Sequence, residues 1–114
     1  MSFRAAPGEV VALVGPSGSG KSSALALLQN FYAPSRGAVL LDGRPVTARS
    51  HAWLHRRIAM VGQEPVLFAR SIAANVAYGL RTAPSNEKIQ ECLRAANAAS
   101  FIDELPEKAE TEVG

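Results

Sequence analysis

Gly15-Pro16-Ser17-Gly18-Ser19-Gly20-Lys21-Ser22 is the stretch from which the rest of the chain is read, and Ser23 stands directly behind it. Its glycines, lysine and hydroxyl follow the order G-x-x-x-x-G-K-[ST], the pattern of a loop that wraps a row of phosphates. Clustered negative charge calls for several backbone N–H groups turned inward, and the glycines allow the positive φ angles that turn them. The Lys21 ammonium then reaches the outer phosphates as a point charge. The Ser22 hydroxyl offers Mg²⁺ a hard oxygen, and a helix starting here adds the partial positive charge of its N-terminus.

The pattern is specific only between a strand and a helix. Glu9–Val14, opened by the turn pair Pro7-Gly8, is short, apolar and rich in β-branched residues, and predicts a parallel strand buried on both faces. Ser22–Phe31 carries Leu25, Leu27, Leu28 and Phe31 with no Gly or Pro before Pro34, and predicts a helix packed on that strand. The alternative, a flexible Gly/Ser turn, suits neither flank.

At 114 residues, 47% hydrophobic and 19% charged, the chain can bury one modest core and reads as a soluble globular piece, one domain or part of one. No apolar stretch approaches the ~18–20 residues of a spanning helix, and Met1-Ser2-Phe3-Arg4 lacks the apolar core of a signal peptide. The net charge is +2 and the Lys and Arg residues are scattered, so no basic patch argues for nucleic acid, and none is expected as a partner. Cys92 is the single cysteine, which excludes an internal disulfide; its helical setting predicts a small core residue. His51 and His55 have the i,i+4 spacing of a metal pair, but no Glu follows His51 and no third ligand is near in sequence.

Met1–Pro7 reads as starting in mid-strand, and the N-terminus is expected to be cut. Pro34–Gly37 signals a turn, and Ala38–Leu41 a strand ending on Asp42-Gly43. Asp42 has two readings. It could close a Walker B strand and hold Mg²⁺, as in a compact small-molecule kinase. Asp42-Gly43 could instead be a two-residue hairpin turn, the better fit because Pro45 suits an edge strand. Thr47–Arg57 predicts a short helix, Ile58–Val61 a second buried strand, and Gly62-Gln63-Glu64-Pro65 a loop at its C-terminal end, where open α/β sheets bind ligands. Ser71–Gly79 predicts a short helix. An amphipathic helix should start at Asn86 after Thr82–Ser85, burying Ile89, Leu93 and Ala96 and ending near Asn97. Phe101–Pro106 is a shorter helical turn, and Glu107–Gly114 a polar, acidic tail.

Taken in order, these residues resemble the nucleotide-binding domain of ATP-binding cassette (ABC) transporters, and within it the exporter type of the B subfamily. The resemblance covers the whole chain. It rests on Pro7-Gly8-Glu9, Gly15–Ser22 as Walker A, Gly37–Gly43 as the hairpin, Gln63–Phe68 as the Q-loop, Asn75-Val76-Ala77-Tyr78-Gly79, and Thr111-Glu112-Val113-Gly114. Ala95–Pro106 looks most like peptide transporters and mitochondrial half-transporters of that subfamily. The resemblance implies an α/β fold: part of a P-loop NTPase core with an antiparallel hairpin and the start of a helical subdomain. Residues 1–80 would be the core part with the Q-loop, and 81–114 the start of the helical subdomain.

By the same resemblance the ligands are ATP and Mg²⁺. The backbone of Pro16, Ser17, Gly18, Ser19 and Gly20, with Gly15 before it, wraps the phosphates; Lys21 contacts the β- and γ-phosphates; Ser22 ligates Mg²⁺. Ser23 stands where a threonine near the α-phosphate is usual, and Gln63 approaches Mg²⁺ and the attacking water. Glu64–Phe68 would face a transmembrane domain, and a second, identical or different, nucleotide-binding domain would complete the sites. Such a domain is membrane-associated through its transporter, facing cytosol or organelle matrix. The family's adenine-stacking aromatic would lie upstream of Met1. Its L-S-G-G-Q signature, Walker B aspartate, catalytic glutamate and switch histidine would lie beyond Gly114. The expectation is nucleotide binding with negligible hydrolysis by these 114 residues alone.

Two other classes compete: the free-standing kinase in which Asp42 is Walker B, and a non-catalytic module that docks a membrane partner through Glu64–Phe68. A GTPase lacks support because no Asn/Thr-Lys-x-Asp element occurs.

Overall fold

Asp42 and Gly43 both take positive φ, 51° and 74°, the signature of a type I′ turn. They join β1, Leu40–Leu41, to β2, Arg44–Pro45, in an antiparallel pair with Leu40 opposite Pro45 and Leu41 opposite Arg44. Val46 then donates its N–H to the Val39 carbonyl at 2.9 Å, the bond that Pro45 cannot supply. Asp42 is therefore a turn residue and not the end of a central strand. The Walker B reading falls with it.

The computed structural model describes residues 1–114, which divide into two compact units, Met1–Met60 and Val61–Gly114. In the first unit, α1 runs Lys21–Leu28 and stops earlier than the sequence suggests. Asn30 takes φ 57°. Its N–H bonds the Leu27 carbonyl and that of Phe31 bonds Ala26, which is a Schellman stop built on asparagine where glycine is more usual. The helix expected over Thr47–Arg57 is divided. A 3₁₀ turn covers Val46–Ala48, Arg49 and Ser50 are extended, and α2 occupies only His51–His55. Ser50 Oγ accepts the Trp53 N–H at 3.2 Å and so starts the helix where its own cap stands. Leu54 and Val46 are the most buried side chains here. The Trp53 ring has the Arg49 and Arg57 guanidinium carbons 4.2 and 4.1 Å from its centroid, and the His51 and His55 rings stack at 5.3 Å.

The two strands expected to be buried form no ladder. Glu9–Val14 is unpaired, with Val10 95% and Val14 92% exposed, and Ile58–Val61 is likewise unpaired. A strand exists by hydrogen bonding to a neighbour, and no segment of these residues takes that place. The Pro7-Gly8 turn before the first does form, with Gly8 at φ 76° and the Glu9 N–H on the Ala6 carbonyl.

The second unit carries a contiguous core of Ala73, Ile89, Leu93, Ile102 and Ala109. β3, Arg70–Ser71, leads into α3, Ile72–Val76; α4 is Asn86–Ala95 and α5 is Ala99–Asp103. Serines cap two of these helices: Ser71 accepts from Ala74 N–H and Ser85 from Lys88 N–H. Asn97, at φ 57°, ends α4 by the same two-bond motif as Asn30, through Leu93 and Arg94 carbonyls. Ile89 and Leu93 are buried as their spacing predicts, but Ala96 is the exposed C-cap and Cys92 faces solvent. The segment read as a polar tail is structured. A 3₁₀ turn at Lys108–Glu110 feeds β4, Glu112–Val113, which pairs antiparallel with β3, Arg70 opposite Val113. No helix is long and apolar enough to cross a membrane.

Candidate functional site

Gly18 and Gly20 take φ 79° and 93°, and no atom lies within 4 Å of where a Cβ would stand on either. Glycine is needed at these two positions for the backbone angle alone. Gly15 differs: a Cβ there would meet Ser19 Oγ at 2.7 Å and Ser19 Cβ at 3.3 Å, so a side chain at this position would push the Ser19 side chain aside. The loop is cinched by Ser19 N–H on the Pro16 carbonyl at 3.2 Å.

Lys21 turns back over this loop. Its Nζ donates to the carbonyls of Gly15 at 2.6 Å and Pro16 at 2.8 Å and to Ser19 Oγ at 3.2 Å. No carboxylate pairs with it; the single ion pair of the chain is Lys88 with Glu91. A full positive charge thus sits at the start of α1, whose first turn holds no acid and whose leading N–H groups have no intrahelical acceptor. Anion binding is what such an arrangement offers. Ser22 and Ser23 stand exposed in that first turn. The residues fit a phosphate chain with its metal: a loop turned by positive φ at Gly18 and Gly20, a lysine held by neutral acceptors that phosphate oxygens can replace, and a hydroxyl for Mg²⁺.

An open pocket of about 410 Å³ flanks α1, lined by Ser22, Ser23, Ala26, Leu27 and Tyr32. It shares the two serines with the loop, but no residue of Gly15–Lys21 lines it, so it is a flank of the cradle and not the cradle itself. Gly15 to Ser23 are therefore brought together as one continuous structure. Gln63 is carried by the other unit, exposed at a bend and without a hydrogen bond.

Asn75 was given no role by its sequence position alone, and the structure gives it four bonds. Its Oδ1 accepts the Phe68 N–H, and its Nδ2 donates to the carbonyls of Phe68, Arg70 and Ser71. The available signal was its being the one amide in the otherwise apolar run Ile72–Ala77. Beside it the Phe68 and Tyr78 rings lie 4.2 Å apart, with the Arg70 guanidinium 5.5 Å from each.

The family model described as "ABC transporter" matches residues 1–113. The chain belongs to the ABC transporter family. It is 55% identical over all 114 residues to the human ABC-type oligopeptide transporter ABCB9, covering 15% of that protein. It is 50% identical over the same length to the rat antigen peptide transporter 1, covering 16% of it. The solved structure of a bacterial Atm1-family ABC exporter with ATP bound matches at TM-score 0.77 and 38% identity, over 87% of this chain and 17% of that one. The fold is thus that of an ABC exporter's nucleotide-binding domain in part, an α/β P-loop NTPase core. The chain spans a small share of the relatives it matches. The ABC resemblance drawn from Gly15–Ser22, Gln63–Phe68 and Thr111–Gly114 holds at the level of family and fold.

Proposed function

We propose that this chain is an ATP-binding part of an ABC exporter that couples ATP binding and hydrolysis to transport across a membrane. The observation that carries the reading is Lys21 Nζ resting on the Gly15 and Pro16 carbonyls at the head of a helix without acids. On this reading, ATP displaces those contacts: Lys21 moves to the β- and γ-phosphates, the N–H groups from Pro16's successor to Gly20 turn to the phosphate oxygens, and Ser23 faces the α-phosphate. Ser22 and Gln63 would hold Mg²⁺, which when bound would neutralise charge on the outer phosphates. Gln63 also orients the attacking water.

Residues 1–80 then act as the core part with its Q-loop and 81–114 as the start of the helical subdomain. Val66 is 81% and Leu67 54% exposed, which supports Glu64–Phe68 as the contact to a transmembrane domain. A second nucleotide-binding domain is the other partner, and the whole is membrane-associated with this domain in cytosol or organelle matrix. The human and rat relatives are named as peptide transporters, and peptide is the cargo class we assign.

These 114 residues hold the phosphate clamp without a general base, so we expect ATP binding with phosphate release at background. Sustained turnover that disappears in Lys21→Ala would overturn that statement. The exposed Glu64–Phe68 run also favours a second reading, a module that docks its membrane partner without nucleotide. Pull-down of a transmembrane partner separates the two: the first requires recovery to fall in Lys21→Ala, the second requires it to stay unchanged.

A further inference from the structure

Gln63, Glu64, Pro65, Val66 and Leu67 make no hydrogen bond, and the chain is first fixed again at Phe68. Besides the Arg70 N–H on the Phe68 carbonyl at 2.8 Å, one side chain fixes it there. Phe68 N–H donates to Asn75 Oδ1 at 2.9 Å, and Asn75 Nδ2 donates to the Phe68 and Ser71 carbonyls at 3.0 Å and to Arg70 at 3.3 Å. The amide orientation follows from its partners, because a flipped group would set an NH₂ against the Phe68 N–H and an oxygen among three carbonyls. Gly114 closes on the same peptide: a Cβ there would lie 2.7 Å from the Phe68 carbonyl carbon and 2.8 Å from Ala69 N. The strand pairing of β3 with β4 and the Ile72 N–H on the Thr111 carbonyl keep Gly114 in place.

We infer that Asn75 is a positioning residue, which fixes the C-terminal anchor of the Gln63–Phe68 loop and thereby the reach of the Gln63 amide. Its part in metal–nucleotide binding rests on the proposed role of Gln63; its part as a clamp does not. Asparagine is specifically required. Aspartate has the same shape, but it puts an anionic oxygen against the three carbonyls that now receive Nδ2, and that repulsion drives the carboxylate out of the clamp and off the Phe68 N–H as well. A residue serving only to fill space would tolerate that change.

The test compares the 114-residue chain with Asn75→Asp, Asn75→Ala, Gln63→Ala and Lys21→Ala. Amide hydrogen exchange is read at Phe68 and at the core residues Leu93 and Ile102, and affinity is read for Mg·ATP and for ATP in chelator. We expect Phe68 to exchange about tenfold faster in both Asn75 variants, the loss of one intramolecular hydrogen bond, with Leu93 and Ile102 unchanged. The preference for Mg·ATP over metal-free ATP should fall in Asn75→Asp as it does in Gln63→Ala. Retained Phe68 protection in Asn75→Asp overturns the clamp, as does loss of protection at Phe68, Leu93 and Ile102 together. If Gln63→Ala loses the metal preference and Asn75→Asp keeps it, the positioning of Gln63 is overturned. Should Lys21→Ala bind nucleotide like the unaltered chain, the proposed nucleotide site fails, and the exchange measurement still decides Asn75.

Discussion

A Cβ at Gly15 would crowd Ser19 Oγ, while one at Gly20 would meet nothing and yet be forced to φ 93°. The two positions should therefore respond differently to alanine. Gly20→Ala places an L-residue in the left-handed region at the start of α1, at a cost of about 1–2 kcal/mol. A lowered urea midpoint checks it. Gly15→Ala pushes the Ser19 side chain aside within the loop whose N–H groups would receive phosphate, so it should weaken ATP binding more than it shifts the midpoint. The reverse ranking in either assay contradicts the geometry. Which residues make the loop was legible in the sequence, because glycine, lysine and serine are fixed by the chemistry of binding phosphate. Why each glycine is there was not, since φ and crowding are set only once the loop closes on itself. Asn75 was harder still, as its four bonds join residues up to seven apart and no spacing rule marks them.

At the scale of elements, α4 has a charge pattern with a definite pH signature. Hydrogen bonds from its own backbone N–H and from Ser85 hold Glu87 below the usual carboxylate value, the Lys88 ammonium holds Glu91 low, and Glu91 in turn raises Lys88. Depressed carboxylates contribute stability that is complete above their ordinary 4.5 and lost as pH falls through the lower folded values. The raised lysine contributes stability below 10.5 that is lost as pH rises through its higher folded value. All three are exposed, so added salt should weaken the effect. Glu91→Gln is expected to flatten both limbs of helix content against pH; an unchanged profile in circular dichroism would count against the pair. The hairpin makes a further prediction. Asp42 turns the chain between β1 and β2, so Asp42→Asn, which tolerates the same positive φ, should leave Mg·ATP affinity within about twofold of the unaltered chain, as for a turn residue with no metal to hold. A tenfold loss would restore the metal-ligand reading. The helix starts at Ser71 and Ser85 and the stop at Asn97 were legible because they are local, but the cap at Ser50 and the stop at Asn30 were not, since the expected helices Thr47–Arg57 and Ser22–Phe31 run across them. Glu9–Val14 and Ile58–Val61 were readable as strand sequences but not as strands, since pairing depends on a neighbour that local pattern does not supply. β4 was missed for the converse reason: its two residues, Glu112 and Val113, carry no alternation long enough to read.

For the whole molecule, the phosphate loop belongs to the unit Met1–Met60, and the Gln63–Phe68 loop with its Asn75 clamp to the unit Val61–Gly114. Exposed apolar residues such as Val10, Val14, Val61 and Val66 accompany both. Nucleotide binding as proposed requires Lys21 to leave the Gly15 and Pro16 carbonyls for phosphate. Titration calorimetry of Mg·ATP into the unaltered chain and into Lys21→Ala tests this most directly, with circular dichroism confirming equal fold. Saturable binding is expected, weakened at least about tenfold when this charge-assisted contact is removed. Equal affinity in the two proteins, or no binding to the unaltered chain, would contradict it.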